Sequence, residues 1–301
     1  MKFNLKLTCI AIALVLASCA KKDIIVVGQQ ATPSLDPITE NDPLLLGNPT
    51  NAQTNVLLSD NYLMDEKYYK VAYSSSRAIP VWVGWHLQSD DFTGVADRQD
   101  DFRGNPRLPS NWYRVENSDY SSSGFDRGHN LPSADRTSSV AANSSTFLMT
   151  NMIPQAPNLN QGPWAALEDY IRTTLVGSSN EAYVFTGNYG AGGAGSNATI
   201  VTSINNGNIT VPKKCWKVVV VMPKGNNDLT RIDTTARILV VDMPNDNTKF
   251  STSSAGRDVW RNYLTTISNL EQSSAAEGRS LNFLSAVSAP VRTYLKTKTF
   301  R

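Results

Sequence analysis

Six short runs dense in β-branched and aromatic residues constrain the fold of this chain more than any other feature. They are Tyr69-Lys70-Val71-Ala72-Tyr73, Pro80-Val81-Trp82-Val83-Gly84-Trp85, Thr146 to Met152, Ala182-Tyr183-Val184-Phe185-Thr186-Gly187, Lys217 to Met222 and Ala236 to Met243. Each has the length and composition of a strand. Two segments read as helices: Gly162 to Leu175, and Ser254 to Leu270, where Val259, Tyr263 and Ile267 recur every four residues. Many strands with few interspersed helices predict one α+β domain on a largely antiparallel sheet. Residues 88–124 and the Gly/Asn/Ser-rich stretch from Asn188 to Thr210 read as loops. No internal repeat or second domain boundary is visible.

The apolar fraction, 41% of 301 residues, excludes a chain that is disordered as a whole. The opening MKFNLKLTCIAIALVLASCAKKD reads as an address. Lys2 and Lys6 precede an apolar stretch from Leu7 to Ala17, too short to span a bilayer. Leu16-Ala17-Ser18-Cys19 resembles a bacterial lipobox, in which the leader is cut before the cysteine and the thiol is lipidated. The expected organisation is a lipoprotein signal peptide over 1–18, a lipidated Cys19 and flexible tether over 19–55, and the functional domain over 56–301. Leu44-Leu45-Leu46 is the point where such a tether would dock. The expected location is the bacterial cell envelope, with the membrane as a partner through the lipid on Cys19.

Three cysteines occur, Cys9, Cys19 and Cys215. With Cys9 removed and Cys19 lipidated, Cys215 stands alone, which excludes an intrachain disulfide and a Cys-based zinc site. Removing Lys2 and Lys6 from the 28 basic residues leaves 26, against 26 acidic ones. A global basic field is absent, so nucleic-acid recognition would need a local patch.

Two histidines occur. His86 ends a Trp-rich run and reads as a structural hydrogen-bonder. His129 lies in Phe125-Asp126-Arg127-Gly128-His129-Asn130. Downstream come Thr150-Asn151-Met152-Ile153-Pro154-Gln155, Leu159-Asn160-Gln161-Gly162-Pro163-Trp164 and Leu167-Glu168-Asp169-Tyr170-Ile171-Arg172. In joint order and spacing these segments resemble the DNA/RNA non-specific endonuclease family, whose active site is a ββα-metal finger. The likeness is dense between residues 98 and 187. It implies a central antiparallel sheet with flanking helices carrying the finger. It further implies sugar-non-specific hydrolysis of phosphodiester bonds in DNA and RNA, with one Mg²⁺ (or Mn²⁺) and a histidine general base, giving 5′-phosphate ends. By the same resemblance Asn160 holds the metal, Asn151 contacts substrate and Arg98 clamps a phosphate.

The residue types suit that chemistry. Phosphodiester hydrolysis needs an activated water, a cation on the phosphate and help for the leaving oxygen. His129 is the general base available near neutral pH, and Gly128 before it would let the backbone turn the imidazole towards a phosphate. Asn160 offers a neutral carbonyl oxygen suited to a hard, hydrated cation; the plainer role is to cap the helix that follows. For Asn151 the plainer role is a turn at a strand end. Glu168 would hold a metal-bound water, and Arg172, four residues on, faces the same way and would join Arg98 in neutralising charge that builds on the phosphate; a surface ion pair is the bland alternative. Trp164, Leu167, Ile171 and Leu175 form a core-facing stripe.

Between residues 71 and 212 there is no Lys but there are eight Arg, whose forks match phosphate oxygens. Arg98 competes with nearby Arg103 for the phosphate, and Arg127 either touches substrate or pairs with a carboxylate. Asn130 and Pro163 depart from the family pattern. Pro163 would sit harmlessly at a helix start. A different class of function is a catalytically silent envelope lipoprotein that binds nucleic acid or glycans through Trp82, Trp85 and Trp112.

Overall fold

The computed structural model describes residues 38–300; the leader and Cys19 lie outside the described residues. Strands β1 (Tyr62–Asp65), β2 (Lys70–Ser74) and β3 (Ile79–Gln88) follow one another as an antiparallel meander. A separate hairpin, β4 (Asp126–His129) with β5 (Met152–Gln155), comes next. Strands β6 (Asn180–Tyr189), β7 (Lys214–Pro223) and β8 (Arg237–Pro244) form a second meander. The two meanders join through β3 and β6 into one sheet of order β1-β2-β3-β6-β7-β8, antiparallel throughout. The α+β expectation therefore holds, and the β4–β5 hairpin with its helix sits in the long excursion between the two central strands.

Strands β3, β6 and β7 are buried along nearly their whole length, which is why runs such as Val218-Val219-Val220-Val221 do not alternate with polar residues. One face, bearing Val83, Trp85, Val184, Val219 and Val241, packs with Leu159, Trp164, Leu167 and Ile171 of the hairpin's helix. The other, bearing Trp82, Phe185, Trp216 and Val218, packs with Leu270 of helix Ile267–Ala276 and Leu295 of helix Ala289–Thr297.

Several expectations shift. The domain begins before residue 56: Pro43–Leu46 forms a 3-10 turn capped by Asp42, and Leu44, Leu46 and Ala52 lie in the second core. The leucine triplet therefore docks as part of the domain. Thr146 to Met152 is a turn with one isolated bridge, from Leu148 to Arg103, and not a strand; Thr146 bonds back to the Asn143 carbonyl, and the hairpin strand starts at Met152. The segment from Ser254 to Leu270 breaks into three, because Thr266 caps a new helix through the Asn269 N–H. Among the described residues, no helix is long and apolar enough to cross a membrane.

Candidate active site

In the β4–β5 hairpin, Asp126 faces Gln155, Gly128 faces Ile153 and His129 faces Met152. The chain then enters a helical run over 157–176, opened by Pro157 at its first position. The helix thus starts five residues earlier than the sequence suggests. Asn160 lies inside its first turns and is not its N-cap, and Pro163 lies within it. Wide π-type turns and a non-helical Gly162 (φ −100°, ψ −108°) accommodate the proline's missing N–H. Strand, strand and helix form the expected ββα unit.

Gly128 is needed for close approach and not for a turn. A Cβ there would lie 2.2 Å from Gln155 Oε1 and 2.5 Å from Gln155 Cβ. Successive side chains of β4 alternate, so Arg127 and His129 share one face. On that face Phe102 and Phe147 meet the imidazole edge-on, with centroids at 5.6 and 5.0 Å. The Arg127 guanidinium lies 4.5 Å over Phe102, and that of Arg98 lies 4.9 Å over Phe147. Arg98 is held by Ser133 Oγ at 2.8 Å and Asp100 at 2.7 Å, while half of its side chain stays exposed. Arg103 instead turns to Asp101 and the Ser144 carbonyl. Arg127 donates to the Asn117 side-chain carbonyl and, among the described residues, pairs with no carboxylate.

His129 Nε2 is buried and has no hydrogen-bond partner among the described residues. Burial first, then the positive charges of Arg98 and Arg127, push its pKa down to about 3. The imidazole is therefore neutral at physiological pH, with one nitrogen waiting for a partner.

At the other end of β4, Asp126 Oδ2 accepts hydrogen bonds from Asn160 Nδ2 and Gln161 Nε2, each at 2.8 Å. Asp126 therefore orients the Asn160 amide and leaves its carbonyl oxygen without a protein partner. Such an oxygen fits a hard cation that keeps most of its water.

Two turns along the helix, Glu168 accepts from Lys217 Nζ of β7 at 3.3 Å. Burial raises the Glu168 carboxyl, and Lys217 and Arg172 pull it back down. Arg172 does not hydrogen-bond Glu168. It donates to Asp135 at 2.8 Å and pairs with Asp169. Asp135 also accepts from Trp85 Nε1 at 3.0 Å. The short turn Ser133–Asp135 thus braces Arg98 at one end and Arg172 at the other.

Asn151 does not face substrate. It is fully buried, and its side chain bonds to the Leu131 N–H, the Leu131 carbonyl and the Thr146 carbonyl at 3.0, 2.9 and 2.8 Å. Its polar groups are saturated by backbone, so it braces the hairpin. Trp82 and Trp85 are buried in the two cores, and Trp112, half-buried, packs on Tyr62 and Tyr73. His86 is buried on the opposite face of the sheet, 3.2 Å from Glu181. His86, Glu181 and Asp228 bring ligand atoms within 4.8 Å of one another, but Arg231 already pairs with both carboxylates. That is the structural role expected of His86.

Sequence reasoning passed over Asp126 as an orienting group, and over Phe102, Phe147, Ser133, Asp135 and Lys217. Of these, Lys217 carried a readable signal: a lone charge in the run Cys-Trp-Lys-Val-Val-Val-Val.

The ββα unit carries a neutral buried imidazole at one end of β4 and an oriented amide at the other. The chain belongs to the DNA/RNA non-specific endonuclease family, whose model matches residues 47–289, and it is a nuclease. It is 40% identical over 267 residues to a nuclease of Nostoc sp. (strain PCC 7120 / SAG 25.82 / UTEX 2576), covering 87% of this chain and 89% of that protein. It is 36% identical over 126 residues to the mitochondrial endonuclease G of Homo sapiens, 42% of each chain. Its fold matches a chain of the crystal structure of the EndoG/EndoGI complex with a TM-score of 0.61 at 20% identity, covering 82% of this chain and 91% of that one.

Proposed function

We propose that this nuclease hydrolyses DNA and RNA alike through a water activated by His129, with Mg²⁺ held at Asn160, leaving 5′-phosphate and 3′-hydroxyl ends. The observation that carries the reading is the buried, neutral Nε2 of His129, which has no hydrogen-bond partner among the described residues and lies in the field of Arg98 and Arg127. The two guanidiniums bind the phosphate, and its negative charge offsets the repulsion that depresses the imidazole, raising its basicity once substrate is bound. His129 takes a proton from water, which attacks phosphorus in line. A bound Mg²⁺ would supply Lewis acidity at the phosphate and the departing oxygen. Asp126 fixes the Asn160 amide, whose carbonyl oxygen would hold the cation, and Glu168 would orient a water on it. Mn²⁺ fits the same oxygen donor. Nothing in this scheme uses the 2′-hydroxyl, and recognition runs through phosphates, so cleavage is sequence-tolerant and weakens with salt. The lipobox supports a location in the bacterial envelope, anchored through Cys19.

The test is cleavage of supercoiled plasmid and of a structured RNA with Mg²⁺, with EDTA, and by His129→Ala. Loss of both substrates with Mg²⁺ alone, abolished by chelator and by the substitution, is expected. A folded H129A protein with full activity refutes the base assignment.

A further inference from the structure

Lys217 is fully buried in the central strand β7, where its neighbours in sequence are Trp216 and the valine run. Its Nζ lies 4.8 Å over the Trp164 ring and 5.3 Å over that of Trp85, and its hydrogen-bond partner among the described residues is Glu168. Taking an ammonium out of water costs several kcal/mol even after relaxation. A methionine would fill the same space between the indoles without that cost, so packing alone does not explain the charge. Arg172, the other cation facing Glu168, is committed to Asp135 and Asp169. Lys217 is therefore the group that both neutralises Glu168 and grips it, from inside the protein, at Oε1. Glu168 Oε2 has no hydrogen-bond partner among the described residues.

We infer that Lys217 is a positioning residue for phosphodiester cleavage: from beneath the finger helix it holds Glu168 ionised, with its free oxygen turned to the reaction. This rests on the role of Glu168 proposed above. The charged groups facing Glu168 are Lys217, Arg172 and Asp135. Removing Lys217 takes away the nearest positive charge while burial remains, so Glu168 would hold its proton to higher pH.

The experiment measures plasmid-cleavage kcat/KM against pH for the full chain and for Lys217→Met, Lys217→Arg, Glu168→Gln and the double variant, with folding checked by circular dichroism. Lys217→Met should move the acid limb of the profile up by about one pH unit or more, an approximately tenfold loss on that limb, recovered as pH rises. Lys217→Arg should restore the limb. In the Glu168→Gln background Lys217→Met should change activity by less than about twofold. A folded Lys217→Met with an unmoved limb, or losses that simply multiply, overturns the inference. If Lys217→Met alone does not fold, the double variant, with no charge at either position, decides. Activity matching Glu168→Gln supports the inference, and a further loss of about tenfold or more overturns it. Full activity in Glu168→Gln overturns the role of Glu168 and this inference with it, whereas loss there with an indifferent Lys217 overturns this inference alone.

Discussion

Replacing Asn151 by alanine separates a brace from a substrate contact. The native side chain makes three hydrogen bonds, all to backbone groups of Leu131 and Thr146, and none of its surface is exposed. Each bond contributes about 1 kcal/mol net, and a buried backbone group left unpaired costs about 1–3 kcal/mol. One N–H and two carbonyls would be stranded. Partial relaxation and water entry bring the expected loss to about 3–5 kcal/mol. In a domain of this size that lowers Tm by roughly 6–20 °C. The assay is thermal and urea unfolding, paired with plasmid cleavage at a temperature where the variant is folded. Cleavage by the folded fraction should stay within about tenfold of the parent, since nothing that touches phosphate is removed. Asn151→Asp sharpens the test. Its carboxylate keeps the bond from the Leu131 N–H but faces two carbonyl oxygens, so its folded pKa is raised above the unfolded value. The folded state then binds the extra proton, and the destabilisation should shrink as pH falls through the aspartate range. Unchanged Tm with abolished cleavage in Asn151→Ala would refute the reasoning and return Asn151 to the substrate.

Asp126→Ala frees the Asn160 amide to rotate, and should raise the Mg²⁺ concentration for half-maximal cleavage by about 10–100-fold with little change in Tm; an unshifted metal titration counts against it. A fragment starting at residue 56 loses the burial of Leu44 and Leu46, and should be less stable than one starting at residue 38 by at least about 3 kcal/mol in urea unfolding. Burial holds the His86 pKa down to about 4, so between pH 6.5 and 4 the unfolded chain takes up a proton that the folded chain does not. Stability is therefore lost as pH falls through that window. Relative to the parent, His86→Phe should gain about 1.4 kcal/mol per pH unit on going from 6.5 towards 4, and a flat difference would show that His86 is not buried neutral.

Much of the framework was legible locally. The strand runs at Tyr69, Pro80, Ala182, Lys217 and Ala236 all lie in the sheet, because their composition suits a doubly covered surface wherever the chain places them. The body of the helix, Gly162 to Leu175, was legible in the sequence, and the ββα finger that carries His129 was implied by the family resemblance. The misread pieces were those whose state depends on distant partners. Thr146 to Met152 is as apolar as a strand, but Asn151 ties it to Leu131, twenty residues away in sequence. The leucines at 44–46 sit in a polar stretch that reads as a tether until the C-terminal helices supply a core for them.

The site divides in the same way. His129, Asn160 and Glu168 were picked out by residue type and order, since an imidazole, an amide oxygen and a carboxylate suit the needs of phosphodiester cleavage. Which way each one points is a tertiary matter. Asp126 reaches Asn160 across 34 residues and Lys217 reaches Glu168 across 49. Phe102, from a polar loop, and Phe147, from a turn, close on His129 from opposite sides in sequence. Residue identity sets the chemistry a side chain can perform, whereas orientation, burial and protonation arise from the field of neighbours that only the packed sheet and finger assemble.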